Sequence, residues 1–347
     1  MDTRSVKFFN WNDCERICNQ LFNSNNHYSP FQTYEFLSII KLGINLKRPF
    51  ESFGYKSVNI VLYRDEVATI LAPLYIKIKK EYVSVVLRGH MSSATNLDFL
   101  YSSNAEYDDF VFLMNSIRDK YKMKLKINIC FDRIYYRSPT KEFCSQYFKC
   151  NPVTSKCVSI PVFPTWDKWY ISLSKNARQN LRTSYNRLET DNLKINFKPY
   201  IQELPDGKVK KNTMLLFCRR LCEHSKLKDI GLSRILYLLK KNDIMTRALN
   251  NEKRFIGATI YINKMLIAYC QGLISNDGRA VIVRLSINID YAKYSPGGLL
   301  INELMKEFEK NKKTRTIVEF DLARGDEKYK YTYGGVEYLS YTWISSL

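Results

Sequence analysis

Residues 318–334 read VEFDLARGDEKYKYTYG, the densest polar segment of the chain. If its first residues form a strand, Glu319 and Asp321 point to one face, and Val318, Phe320 and Leu322 to the other. Two carboxylates on one face can take a proton from an attacking ammonium, directly or through one water. They can equally orient Arg324 or pair with lysines. A second stretch, YSPGGLL at 294–300, places two adjacent glycines in a chain that holds only 13. With Ser295 as N-cap and Pro296 as the first helical residue, Gly297 and Gly298 take the next two positions. Their N–H groups have no intrahelical partner there. With no side chain in the way, an anion such as a pyrophosphate can approach those amides, and the helix dipole favours it. Lys293 and Arg284 would add positive charge. An ordinary capped helix packed on a sheet reads the same way locally.

A third constellation is KNARQNLRTSYNRLE, residues 175–189. On an ideal helix Ala177, Leu181, Ser184, Tyr185 and Leu188 share one stripe, and Lys175, Arg178 and Arg182 share the next. The guanidinium fork suits phosphate, so Arg178 and Arg182 read as substrate contacts or as a solvated basic face. His224 falls at an expected helix end, where a capping histidine is ordinary. No GxSxG or Walker A motif occurs.

The elements that must position these groups alternate along the chain. The first half reads as a short strand (5–9), helices at 11–22 and 31–43, strands at 57–65, 67–80 and 83–89, a helix at 107–122 and a strand at 125–132. Apolar alternation and turn residues carry that reading. The second half repeats the order loosely: strand 157–162, helices 165–174 and 175–189, strand 193–200, helices near 208–225 and 232–249. Strands at 254–263, 264–275 and 280–288 follow, then the helix opened by YSPGG, strand 316–325 and a final strand-like run at 334–344. Two α+β units, each with a mixed, mainly antiparallel sheet flanked by helices, are the simplest account. The stretch CNPVTSKC (150–157) marks the boundary, giving units 1–152 and 153–347.

At 347 residues the chain has room for two cores. Its 54 Lys+Arg against 34 Asp+Glu give a formal charge of +20. That favours an acidic partner without choosing among nucleic acid, an anionic membrane surface and a phosphate-rich small molecule. A lysine-rich surface reflecting composition is the alternative. The nine cysteines form no CxxC. Cys14/Cys18 and Cys218/Cys222 are spaced i,i+4, but with only His27, His90 and His224 available, buried reduced thiols are favoured over a metal site. The longest apolar run, VATILAPLYI, is too short to span a bilayer. No signal-peptide pattern opens the chain, so it reads as cytoplasmic.

The order strand, glycine-bearing turn, helix, strand and tyrosine-rich segment resembles the layout by which GNAT acyltransferases hold acyl-coenzyme A. The stretches IAYCQGLIS, IDYAKYSPGGLLINELMKEFEK and VEFDLARGDEKYKYTYGG, within 267–335, look like the C-terminal half of CelD-like acetyltransferases of polysaccharide or cellulose biosynthesis. SKNARQNLRTSYNRLE resembles that group's basic helix. The Fem peptidyltransferases share a related double-GNAT layout, and the first half of this chain matches in architecture only. The resemblance implies tandem GNAT-like domains and acyl transfer from acetyl- or another acyl-coenzyme A to an amine or hydroxyl, with no metal. The acceptor would be an amino sugar, a glycan or a lipid precursor. It implies Asp321 as the best catalytic or orienting residue, with Glu319 beside it. Tyr329 and Tyr331 become proton donors to the leaving thiolate. Lys330 joins Lys293, Ser295, Gly297, Gly298 and Arg284 at the donor, and Arg178, Arg182 and Arg324 face the acceptor. Pro296 stands where the usual Q/R-x-x-G-x-G/A turn has its first glycine, which removes one backbone donor. Two other readings stay open: a Fem-like transferase using aminoacyl-tRNA, and a non-enzymatic basic binding module.

Overall fold

The computed structural model describes residues 3–24, 29–40, 54–90, 92, 94–121, 126–223, 243–311 and 316–347, with side chains as far as 217 in the 126–223 stretch. His27, His224, the side chains of Cys218 and Cys222, and the 232–242 part of an expected helix lie outside the described residues. The chain forms two compact units, Met1–Lys156 together with Leu339–Leu347, and Cys157–Tyr338.

The first unit contains β1 (Arg4–Phe9), a 3₁₀ turn (Trp11–Cys14), α1 (Glu15–Ser24), α2 (Tyr34–Ile39), β2 (Lys56–Arg64), β3 (Val67–Ile78), β4 (Val83–Leu87), β5 (Leu100–Tyr101), α3 (Tyr107–Tyr121), β6 (Ile127–Tyr135) and α4 (Pro139–Tyr147). Its strands run in the order β1-β2-β3-β4-β6, with β5 beside β3. The first four are an antiparallel meander, and β4 meets β6 in parallel after the crossover through α3. Asp65 and Glu66, at φ 50° and 64°, close the β2–β3 hairpin. Two left-handed residues give the turn whose twist matches the flanking strands. Cys14 and Cys18 are buried thiols. They donate to the carbonyls of Asn10 and Gln32, respectively.

The second unit contains β7 (Val153–Pro161), α5 (Trp166–Ser172), α6 (Lys175–Thr190), β8 (Ile195–Ile201), α7 (Gly207–Glu223), α8 (243–250), β9 (Phe255–Ile262), β10 (Met265–Ile274), β11 (Arg279–Ile287), a 3₁₀ turn (Ile289–Tyr294), α9 (Pro296–Lys310), β12 (Glu319–Arg324) and α10 (Lys328–Thr332). The strand order is β7-β12-β11-β10-β9-β8. Strands β8 to β11 are again an antiparallel meander, and β11 meets β12 in parallel. The β9–β10 turn repeats the device of the first unit, with Asn263 and Lys264 at φ 46° and 68°.

Helix α9 lies across β8 to β11, and α7 lies on β10 and β11. Cys270 belongs to the cluster under α9, while its neighbour Tyr269 packs on Leu216 of α7. Successive strand residues face opposite sides, so the two helices cover opposite faces of the sheet. The α6 stripe expected from sequence is the buried one: Ala177, Leu181, Ser184 and Leu188. Ser174 caps that helix, accepting from the Ala177 N–H.

Three features depart from the sequence reading. Strand β7 begins at Val153, four residues before the expected start, so CNPVTSKC is partly strand, and the units divide within it, after Lys156. The last strand, β13 (Val336–Ser346), does not stay with the second half. From Ser340 to Ser346 it pairs antiparallel with β6, and residues 339–347 belong to the first unit. Helix α4 was not anticipated, although Ser138 and Pro139 form a cap signal: the Ser138 hydroxyl accepts from the Thr140 N–H.

Candidate functional site

The site begins with how β11 is paired. Its parallel ladder with β12 covers only Arg279–Val281 against Glu319–Asp321, while on the β10 side it runs on to Ile287. From Ile282 onward β11 therefore has a paired strand edge on one side only, among the described residues. On the other side of the gap, β12 loses its regular register with β7 between Asp321 and Arg324, and Ala323 turns to φ 54°. The result is a splay between the two strands beyond Val281 and Asp321.

α9 starts at this splay. The 3₁₀ turn before it is pinned to the end of α6. Asp191 accepts from the Tyr294 hydroxyl and pairs with Lys293 at 2.8 Å, and Arg187 Nη1 donates to the Lys293 carbonyl at 2.6 Å. Pro296 is the first helical residue, as its fixed φ and missing N–H favour. Ser295 departs from expectation. It sits in the left-handed region at φ 51° and its side chain makes no capping bond. The turn is closed instead by the Ser295 N–H donating to the Ala292 carbonyl.

The two glycines have different reasons. A Cβ on Gly297 would meet only Ile287 Cγ2, at 3.5 Å. That is an ordinary contact, so packing does not require a glycine at this half-buried position. A Cβ on Gly298 would lie 1.9 Å from the Tyr333 hydroxyl oxygen. Gly298 is thus required by the Tyr333 ring, which reaches from the end of α10 to the first turn of α9. Trp169 Nε1 donates to the Tyr333 carbonyl at 3.3 Å and fixes that residue. Burial pushes the Tyr333 hydroxyl above its usual pKa, so it stays protonated. Sequence reasoning missed this tyrosine. Its signal was present in the glycine two positions into a helix and a tyrosine directly before Gly334.

The other expected residues fall elsewhere. Asp321 is fully buried. Its Oδ2 lies 3.2 Å from Arg279 Nη1 and accepts from the Tyr338 hydroxyl at 2.7 Å, and its Oδ1 accepts from the Ala323 N–H at 2.7 Å. Burial raises its pKa, with Arg279 the largest of the opposing effects. Those bonds hold the β12 bend, which makes Asp321 a positioning group and not an exposed base. Glu319 is half-buried at the start of the same strand, opposite Arg279 and Pro161.

Lys330 is buried, and its Nζ donates to the carbonyls of Arg324 and Gly325, each at 3.1 Å, and pairs with Glu327 at 2.9 Å. It closes the β12–α10 loop and does not face a phosphate. The Tyr331 hydroxyl donates to Glu337 at 2.9 Å on an exposed surface, and Tyr329 packs partly buried on the core. Arg324 is exposed. Arg178 Nη1 donates to the Ile171 carbonyl at 2.8 Å and Arg182 Nε to the Tyr170 hydroxyl at 3.1 Å, both at the surface, where they tie α6 to α5.

Arg284 is turned away from α9. The β10–β11 register slips at Gln271/Gly272, so Arg284 pairs with Gln271 and faces α7, with its guanidinium 4.8 Å from the Phe217 ring centroid. Burial pulls its pKa down to about 10. Simple alternation counted along β11 could not show that bulge.

Residues 243–331 match the acetyltransferase (GNAT) domain family, a segment that runs from α8 through the splay and α9 to α10. No curated protein matches the chain by sequence. The fold is that of GNAT acetyltransferases. Three solved structures share it over nearly the whole chain. A protein of unknown function from Bacteroides thetaiotaomicron has a TM-score of 0.55 and 11% identity, covering 99% of this chain and 100% of its own. The C-terminal domain of a protein described as a lysylphosphatidylglycerol synthetase, from Agrobacterium fabrum, has a TM-score of 0.53 and 10% identity, covering 96% and 92%. FemX has a TM-score of 0.51 and 10% identity, covering 98% and 97%. At such identities these likenesses concern the GNAT fold alone.

Proposed function

We propose that the second unit transfers an acyl group from acyl-coenzyme A to an amine, or less readily to a hydroxyl. The observation that carries this reading is the β11–β12 splay with Gly297, uncrowded on its Cβ side, beside Ile287 at the end of β11. The amides of Gly297 and Gly298 stand at the positive end of a 15-residue helix, where a pyrophosphate is favoured. The unpaired edge of β11 offers backbone groups along which the extended arm of the donor can lie. An N–H of that edge would stabilise the oxyanion when the amine attacks the thioester carbon. As the carbon–sulfur bond breaks, the sulfur takes a proton from Tyr333. The nucleophile sheds its own proton to water or to a group on the acceptor side.

Acceptors of the CelD-like kind, amino sugars or glycan precursors, fit the resemblance, and the protein would then work in polysaccharide synthesis. The first unit, with its longer segment between β4 and β6, would be a degenerate partner domain. Calorimetric titration with acetyl-coenzyme A tests the donor, with Gly297→Val as the informative variant. The wild type should bind in the micromolar to millimolar range and the variant should lose at least about tenfold, which is about 1.4 kcal/mol. No binding to either would remove coenzyme A as the donor. The +20 charge favours the second reading, an aminoacyl-tRNA donor. Binding of charged tRNA that weakens steeply with salt, beside no coenzyme A binding, would select it.

A further inference from the structure

The second unit carries a basic groove on its β8–β9 edge, on the surface where α7 begins. Lys198 of β8 and Lys194, just before that strand, line it, with Asn196 between them. The burial pattern of β8 alternates, and Ile195 and Phe197 pack on the core beneath α9. Residues 194, 196 and 198 therefore present one continuous outer row. Four residues of strand separate the two lysines by roughly 13 Å. Lys208, in the first turn of α7, and Lys264, in the β9–β10 turn, close the sides, and Tyr261 lines the floor. The groove is a half-open concavity of about 420 Å³; among the described residues no carboxylate lines it, and the nearest acidic influence on its tyrosines is Asp206, beside Tyr200 and Tyr261.

Lysines without a carboxylate partner among the described residues, such as Lys168, Lys175 and Lys310, occur elsewhere on this unit; what sets these four apart is that they converge on one concavity. Lys293, Lys306 and Lys330 are each paired with a carboxylate within 3 Å, Asp191, Glu303 and Glu327 respectively. Lys194, Lys198, Lys208 and Lys264 have no carboxylate partner among the described residues. Four like charges around one concavity repel one another, and a bound anion removes that cost. The shape and the spacing narrow the ligand. A concave groove suits a narrow ligand better than a flat membrane surface. A row of cations over roughly 13 Å exceeds the reach of a single phosphate group. The half-buried Tyr261 ring adds a flat apolar surface among the cations, a combination that accommodates a phosphodiester backbone with its bases.

We propose that this groove binds a single nucleic-acid strand, with Lys194, Lys198, Lys208 and Lys264 on successive phosphates. The site lies apart from the β11–β12 splay, and the proposal holds whichever donor is used there.

The test uses the full chain and a fluorescently labelled single-stranded RNA of roughly a dozen nucleotides, read by anisotropy over a range of salt. The wild type should bind, with log K falling linearly with log salt. Lys198→Gln with Lys264→Gln should weaken binding at least about tenfold and reduce the slope by about 1.4, since each phosphate contact contributes about 0.7 on single strands. Lys7→Gln with Lys126→Gln removes the same charge from exposed positions of the first unit. It should leave both affinity and slope unchanged. Equal weakening by the two pairs would mean diffuse attraction to a basic protein and would overturn the proposal. Displacement of the RNA by inorganic triphosphate, at charge-equivalent concentration, as well as by unlabelled RNA would reassign the groove to a small phosphate. Binding to anionic vesicles that the Lys198/Lys264 variant loses would reassign it to a lipid surface. Thermal melts of all variants should coincide, because the substituted lysines are exposed.

Discussion

The Tyr333 hydroxyl fills the space that Gly298 leaves at the start of α9. Tyr333→Phe keeps the ring that packs on the core and removes only the hydroxyl proposed as the proton donor. Its kcat for acyl transfer should fall by roughly a hundredfold, in the range a positioned acid contributes, with KM for the donor little changed. Because burial raises the Tyr333 pKa, the wild-type rate should show no loss from this group below about pH 10. Tyr331→Phe removes a surface bond to Glu337 and should stay within about twofold of the wild type. Steady-state kinetics on the two variants separate the assignments. At this scale the sequence was partly legible. The YSPGG turn, the Pro296 start and the tyrosine-rich segment all belong to the same corner of the fold. Which tyrosine faces α9, that Lys330 turns inward to bind the β12–α10 loop and that Asp321 turns inward to hold the β12 bend, depend on a bend at Ala323 and a five-residue helix. Alternation along a straight strand could not reveal either.

At the scale of elements, periodicity sufficed where an element is long and faces one core. Helices α3, α6 and α9 and the meander strands fall within a few residues of the expected spans. It failed where one residue changes the register, as at the β10–β11 bulge, and where an element is short, as in α4 and α10. The start of α9 shows the same limit. A serine before Pro-Gly-Gly reads as an N-cap, yet Ser295 is left-handed and its hydroxyl caps nothing. Ser295→Ala should therefore change the unfolding free energy by less than about 0.5 kcal/mol, against about 1 kcal/mol for loss of a working serine cap. Ser174→Ala on α6, where the cap bond is present, provides the contrast and should show the full cost. Denaturant midpoints of the two variants decide it. Equal losses would mean that Ser295 caps α9 in solution.

At the scale of the whole chain, the two units repeat one plan, a meander of four strands followed by a parallel crossover, and the first unit is completed by the last nine residues. No local signal announces that return, because a strand's partner is set by the other edges available and not by its own alternation. Removing residues 339–347 should leave the β6 edge unpaired and lower the hydrogen-exchange protection of residues 127–135, although these lie about two hundred positions away in sequence. The first unit also carries two buried aspartates whose effects on stability oppose one another. Burial lifts Asp98 to about 6, although Ser138, Thr140 and the Phe99 N–H bond to it. Burial also raises Asp132, but Arg133 and His90 outweigh it and hold that carboxyl at about 2. The folded state retains the Asp98 proton more tightly than the unfolded chain. Its stabilising contribution is complete below the unfolded pKa near 3.8 and is lost as pH rises through 6, on the order of 2–3 kcal/mol. Asp132 acts in the reverse sense: its contribution is present above 3.8 and lost as pH falls through 2. From these two groups the first unit is most stable near pH 4. Asp98→Asn should abolish the decline between pH 4 and 6 and leave the acid limb in place. Hydrogen exchange of the first unit across pH 3 to 7, corrected for intrinsic rates, measures both, and an unchanged decline in the variant would assign the titration to another group.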